Sequence, residues 1–451
     1  MPRASQREWR SRRSRRAAAI ASDEPRRRAA EVSRALQWLT GDAARRAELE
    51  DAIARLERGE GVEWVRQRDR RRQLARIPLA GGRACFAKHY LAGGRHSWRD
   101  AWKERLGLVA AQREWRTLAR LRAAGVPVPA PLVHARLASG ERVLVTEWIA
   151  GVPLAEALAD AVRRPALLAA VGALVRALHE AGWVHRDLHR ENILIAGGAP
   201  VLVDLQAARR SRSDAARLRD LGRLDHSLRR LLSRGDRVRL RASALGLARP
   251  LDAAGRAAVR AVGAASLARA RAHANSRARR SLREGRRAQR FEFGGGRGLV
   301  SRAFDPAAVY AVLAAPAATV GFEVRPYRFA PRDLWRGSAA RRAWAVAHAL
   351  EASDVACVAP VAFVEWRLFG VPLRSALVVA DELRADPQRA ATPDELRGRL
   401  REAGFDTRGL DALGIALFER AGRSEARVIA PEQLRFPARR SGQRLTTSGP
   451  R

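Results

Sequence analysis

Residues 185–204 gather two aspartates and a carboxamide: His185-Arg186-Asp187-Leu188, then Asn192, then Asp204 at the end of the apolar run Val201-Leu202-Val203. A carboxylate that orients a hydroxyl proton, beside two hard oxygen donors suited to magnesium, equips a site for phosphoryl transfer. That chemistry asks little covalent help of a protein. It asks for a cation on the phosphates, a metal bridging them and an acceptor hydroxyl aimed in line. Composition sharpens the choice of residues. The chain carries 86 Lys plus Arg, yet Lys stands only at Lys88 and Lys103, and Asn only at Asn192 and Asn275. A sequence that writes almost every cation as Arg keeps Lys where a phosphate grip needs it.

The pattern His-x-Asp-Leu-x-x-x-Asn, followed by a strand and an Asp, is that of a kinase catalytic loop and its metal ligand. On this reading Asp187 takes or orients the acceptor proton, and Asn192 and Asp204 hold Mg2+. Lys88, on a strand, grips the α- and β-phosphates of ATP, and Glu114 of the next helix pairs with it; Glu104 is the alternative partner. His185 packs within the loop, Arg186 braces it, and His189 stands where Ser/Thr kinases usually carry Lys. The strand Val143–Glu147 runs into Trp148-Ile149-Ala150-Gly151, which reads as a hinge; Thr146, Glu147, Trp148 and Ile149 would line the adenine pocket.

Three departures qualify the pattern. No G-x-G-x-x-G precedes Lys88, since Gly59-Glu60-Gly61 comes too early and Gly81-Gly82 is a hairpin turn. Asp-Phe-Gly is replaced by Asp204-Leu205-Gln206. No Ala-Pro-Glu lies between Asp204 and Arg219-Asp220-Leu221, which leaves little room for a peptide-binding segment and favours a small or lipid-linked hydroxyl.

These residues need a bilobal frame. The expected fold is α+β: an antiparallel-sheet N-lobe (58–150) and a helical C-lobe (151–250). A basic arm and helix (1–57) precede it and a basic helical linker (251–299) follows. The 451 residues exceed one ordinary domain. Residues 300–451 read as a truncated, degenerate second copy. Lys88 aligns with Arg325, Tyr90 with Tyr327, Trp98 with Trp335, Trp115 with Trp344 and Pro131 with Pro360; further on, Glu180-Ala181-Gly182-Trp183 aligns with Glu402-Ala403-Gly404-Phe405. Its chemistry is gone. Glu114 becomes Ala343, His185 Thr407, Asp187 Gly409, Asn192 Gly414 and Asp204 Ala430.

Residues 60–240 resemble the lipopolysaccharide-core (Kdo and heptose) kinase family. The resemblance rests on Ala87-Lys88-His89-Tyr90, His185-Arg186-Asp187-Leu188 and Val203-Asp204-Leu205-Gln206-Ala207. It implies ATP- and magnesium-dependent phosphorylation of a lipopolysaccharide-core sugar or related glycolipid at the inner face of the cytoplasmic membrane. The net charge of +39 suits an anionic membrane surface, met by the arm Arg3–Arg28 and by Arg256–Arg290; nucleic acid is not the expected partner. Cys85 and Cys357 form no disulfide framework, and a cytoplasmic protein is expected. Two other readings stand beside this one: a Ser/Thr-type protein kinase using the same nucleotide site, and a non-catalytic scaffold.

Overall fold

The structure is a computed structural model that describes residues 36–66, 72–91, 109–316, 321–353, 355–380, 392–403 and parts of 405–434. The arm Arg3–Arg28, Glu104, Trp98, Gly404, Gly409, Gly414 and Ala430 lie outside the described residues. The chain divides into two compact units, Met1–Val262 and Gly263–Arg451.

In the first unit a six-stranded antiparallel sheet has the order β1-β5-β6-β4-β3-β2. Its strands are β1 (Gln37–Gly41), β2 (Glu63–Arg66), β3 (Arg72–Pro78), β4 (Ala84–Tyr90), β5 (Pro131–Arg136) and β6 (Arg142–Glu147). Strand alternation gives the sheet two different faces. Ala75, Ile77, Cys85, Ala87, Val133, Val143 and Val145 pack against Leu49, Ala52, Ile53 and Leu56 of helix α1 (Arg46–Arg58). Leu144, on the other face, packs with Leu118 and Leu121 of α2 (Ala110–Ala123). The N-terminal helix, read from sequence as part of a separate segment, is thus half of this core, because its apolar stripe has only the sheet to bury against. Strand β1 was not foreseen in the sequence; it pairs with β5.

The helical lobe follows, with β7 (Val152–Pro153), α3 (Leu154–Ala157), α4 (Arg164–Glu180), β8 (Trp183–Val184), β9 (Ile193–Ala196), β10 (Ala199–Leu202), β11 (Arg209–Arg210), α5 (Asp214–Leu228) and α6 (Arg234–Ala244). Helices α4 and α6 meet closely at Gly172, where a Cβ would come 2.5 Å from the Ser243 side chain. The β9–β10 hairpin turns at Gly197 and Gly198, with φ 56° and 81°, values that suit glycine. Helix α5 carries Asp225, 1% exposed, which accepts paired bonds from Arg237 and Arg241 of α6 (2.5–3.1 Å). This ties α6, and through Gly172 α4, to α5.

Helix α7 (Ala253–Ser281) begins in the first unit, whose core includes Val262. The second unit has a sheet of order β12-β13-β15-β16-β14. These strands are β12 (Ala288–Phe293), β13 (Gly296–Ser301), β14 (Phe322–Arg328), β15 (Ala359–Leu368) and β16 (Val371–Ala380). Helices α8 (Pro306–Ala314), α9 (Asp333–Arg336), α10 (Ala339–Ser353) and α11 (Pro393–Ala403) and the hairpin β17 (Ile415–Arg420) with β18 (Arg423–Val428) complete it. Residues 251–299 are therefore not a separate linker: Val262 sits in the first unit's core and Phe291 of β12 in the second's.

The two units share registers. In the first, Ala87 pairs with Val145 and Val145 with Val133; in the second, Val324 pairs with Val378 and Val378 with Ala362. The ladder slips between Pro131 and Val133 in one and between Pro360 and Ala362 in the other. Leu202 pairs with Ile193, and Val428 with Ile415. One feature differs. In the first unit the hairpin β2–β3 lies beside β4; in the second, β12–β13 lies beside β15, and β14 is left at the sheet edge.

The Asp225 cluster makes a stability prediction. Burial raises the pKa of this carboxyl, but the bonds from Arg237 and Arg241 outweigh it and hold the value below the usual one. Its contribution is complete above the unfolded value of about 4 and fades as pH falls below it. Asp225→Ala should lower unfolding free energy by about 3 kcal/mol or more at pH 7, because two arginines lose their buried partner. The deficit, read by urea denaturation, should shrink below about pH 4.

Candidate active site

Alternation along β4 decides where the lysine goes. Cys85 and Ala87 turn into the core shared with α1, so Phe86 and Lys88 turn to the opposite face. On α2, Ala111, Glu114, Leu118 and Leu121 form one buried stripe at helical spacing. A carboxylate in an apolar stripe needs a cation. Lys88 Nζ supplies it at 2.6 Å from Glu114 Oε1, with the pair 7% and 2% exposed. The Tyr90 hydroxyl donates to the other carboxylate oxygen at 2.7 Å. Lys88 also reaches Asp204 Oδ1 at 2.9 Å. Burial works against the ammonium, but Glu114 and Asp204 outweigh it and hold its pKa above the usual value. Burial likewise opposes the Asp204 carboxylate, and Lys88 and Arg72 overcome it, so Asp204 stays ionised below the ordinary range.

The loop carrying Asp187 hangs on one fully buried carboxylate. Asp220 accepts the backbone N–H of His185 and of Arg186 (2.5 and 2.8 Å) and the Arg223 guanidinium at 3.0 Å. Arg186 has φ 66°, a strained value for an arginine, which these bonds hold in place. His185 Nε2 lies 3.1 Å from the Val203 carbonyl, linking the loop to the strand that ends at Asp204; burial keeps this imidazole's pKa low. Asn192 donates its carboxamide N–H to the Asp187 carbonyl at 2.8 Å, which leaves its oxygen for a cation. Asp204 itself has φ 57°. Asp187 projects half-exposed, its carboxylate 3.8 Å from His189 Nε2. His185 is buried, whereas Arg186 is exposed and is held through its backbone N–H.

The cleft between sheet and helical lobe encloses about 710 Å³, space open to solvent included. Thr146, Glu147, Trp148 and Ile149 line it together with Lys88, Glu114 and Asp204. Backbone bonds from Glu147 N–H to Ala130 and from Trp148 N–H to Ala84 fix the connecting segment. Hard oxygens at Asp204 and Asn192 fit magnesium shared with phosphates. Among the described residues no cluster of three His, Cys, Asp or Glu offers a cage of protein ligands instead.

Three site residues escaped the sequence reading: Arg72, Tyr90 and Asp220. Arg72 opens β3 across from Tyr90, lines the cleft and puts Nη1 3.5 Å from Asp204 Oδ1. No motif flags it. Tyr90 was legible only as part of the Lys88-His89-Tyr90 run, and Asp220 only as the start of a core helix.

Residues 57–243 match the Lipopolysaccharide kinase (Kdo/WaaP) family. The rest of the chain lies outside that match. A probable bifunctional tRNA threonylcarbamoyladenosine biosynthesis protein of Methanothermobacter thermautotrophicus is 31% identical over 128 residues, 28% of this chain. The chain spans about a fifth (22%) of that curated relative. Among solved structures, WaaP in complex with acyl carrier protein aligns with TM-score 0.38 and 22% identity, over 51% of this chain and 95% of that one. An aminoglycoside-3'-phosphotransferase of type VIII aligns with TM-score 0.33 and 19% identity, over 48% and 98%. The acceptors in these names are those proteins' own. The buried Lys88–Glu114 pair lies within the matched segment.

The ion pair is open to a double-mutant test. Lys88→Met strands the Glu114 carboxylate and should destabilise the first unit by about 3–5 kcal/mol. Adding Glu114→Gln should restore most of that loss, since a neutral amide can bond Tyr90 without a cation. Urea denaturation of the four proteins reads the coupling.

Proposed function

We propose that the first unit is an ATP- and magnesium-dependent kinase that phosphorylates a hydroxyl of a lipopolysaccharide-core sugar or related glycolipid. The observation that carries the kinase reading is the buried Lys88 held between Glu114 and Asp204 at 2.6 and 2.9 Å, within the segment that matches the Kdo/WaaP family. Thr146, Glu147, Trp148 and Ile149 would take the adenine. Lys88, oriented by Glu114 and Tyr90, would grip the phosphates. Asp204 and Asn192 would hold magnesium, which would supply neutralising charge to the transferring group. Asp187 would accept or orient the acceptor proton, with His189 beside it. Arg72 supplies a second cation where a glycine loop would otherwise cover the phosphates.

The acceptor class follows from what is short. Only residues 205–213 lie between Asp204 and α5, and β11 and a single helical turn occupy part of them. A segment of that length gives a peptide little to lie along, which favours a sugar or lipid-linked sugar. The protein would act in the cytoplasm at the membrane's inner face; among the described residues no helix is long and apolar enough to cross a membrane.

We also infer that residues 300–451 are a degenerate copy without the reaction. The support is the matching registers of β4, β5 and β6 with β14, β15 and β16, and the position of Arg325 where Lys88 stands. Arg325 meets Glu323 at 2.6 Å, and Ala343 replaces the paired glutamate.

Asp187→Ala should lower phosphate transfer from ATP to purified lipid A-core acceptors by about a thousandfold while ATP binding persists. Label from ATP appearing only on protein would instead identify a Ser/Thr-type protein kinase. Lys88→Met with Asp204→Asn in the full chain should abolish nucleotide–magnesium binding by calorimetry. Residual binding would place a working site in the second unit.

A further inference from the structure

Among its described residues the second unit exposes Tyr310 and, apart from it, a set of six large apolar side chains that its own core does not use: Phe329, Leu334, Trp335, Leu368, Phe369 and Leu373. Phe369 is 98% exposed and Trp335 80%. Backbone bonds bring them to one end of the sheet. Leu368 pairs with Val371 at the tip of the β15–β16 hairpin, Arg374 pairs with Arg328, and the Phe329 N–H donates to the Leu373 carbonyl at 3.0 Å. Helix α9, with Leu334 and Trp335, follows directly from Phe329.

Two further features set this tip apart. Phe369 has φ 50° beside Gly370 at 83°, so a bulky residue occupies a turn position that favours glycine or asparagine. An aromatic kept there, strained and almost wholly solvent-facing, is not explained by packing within the unit. Among the described residues the exposed charge around the tip has one sign. Arg328, Arg332, Arg336 and Arg374 are exposed, whereas Asp333 is buried against Arg342 at 2.6 Å and Glu365 is buried against Arg367 at 3.0 Å.

We propose that this end of the second unit is a membrane-docking tip whose ligand is an anionic bilayer surface. Trp335 and Phe369 insert at the depth of the headgroups and upper acyl chains, and the surrounding arginines meet lipid phosphates. The patch protrudes at a hairpin tip, as insertion requires. Charge complementarity separates this occupant from a second copy of the chain, which would set arginine against arginine. The inference stands apart from the kinase reading, because it concerns a different unit and its readout is not catalysis.

The test uses the full chain with sedimented vesicles of phosphatidylcholine alone and of phosphatidylcholine with phosphatidylglycerol. The wild type should bind the mixed vesicles and bind the neutral ones weakly. Trp335→Ser with Phe369→Gly should weaken binding to the mixed vesicles by about tenfold or more, since two large side chains no longer leave water. Both substitutions are neutral, so bulk attraction from the net charge is unchanged. Phe369→Gly alone relieves the positive φ and cannot unfold the turn; it should give a smaller loss in the same direction with an unaltered thermal transition. Wild-type affinity retained by both variants would overturn the proposal, as would a wild type that ignores the mixed vesicles. A mass halved by the substitutions in light scattering would also overturn it, by making the patch a self-interface.

Discussion

An ammonium group cannot stay buried without opposite charge, and Lys88 is buried between two carboxylates that come from different parts of the fold. Glu114 arrives on α2 and Asp204 just past β10 of the helical lobe. Satisfying one lysine therefore fixes the helix against the sheet and the sheet against the lobe below. The apolar core repeats the same bridge, since Leu118, Leu144, Leu188 and Leu202 belong to one cluster. Removing water from this point also strengthens every charge interaction in the cleft.

The loop is governed by a similar constraint. Asp220 is fully buried, so its oxygens must be met by donors, and the donors it finds are the backbone of His185 and Arg186 and the side chain of Arg223. Its need for partners holds Arg186 in a strained conformation and so aims Asp187 outward. Two buried acidic residues, Glu114 and Asp220, thus position the two halves of the site.

How much of this could be read from the sequence depended on whether a residue's neighbours lie close along the chain. Asp187, Asn192 and Asp204 sit in one hairpin at fixed spacing, and Lys88 stood out because the chain so rarely uses lysine. The hairpin turn at Gly81-Gly82 also placed that lysine's strand. Arg72 was hidden because it is one arginine among very many, and its meaning lies in a residue more than a hundred positions away. Strand β1 was hidden for a related reason. Its pairing with β5 joins segments far apart, and Gln37–Gly41 is too short to announce itself by alternation. The boundary near residue 262 was masked by arginine, which made α7 and the β12–β13 hairpin look like one charged connector.

The different placement of that hairpin has a consequence for solubility. With β12 and β13 on the far side, β14 has no strand on its outer edge among the described residues, and an unpaired edge invites another chain to add on. The sequence of β14 blunts it. Pro326 lacks an N–H to offer a visiting strand, and Arg325 and Arg328 flank it with charge. An edge strand without a neighbour thus carries its own guard against aggregation.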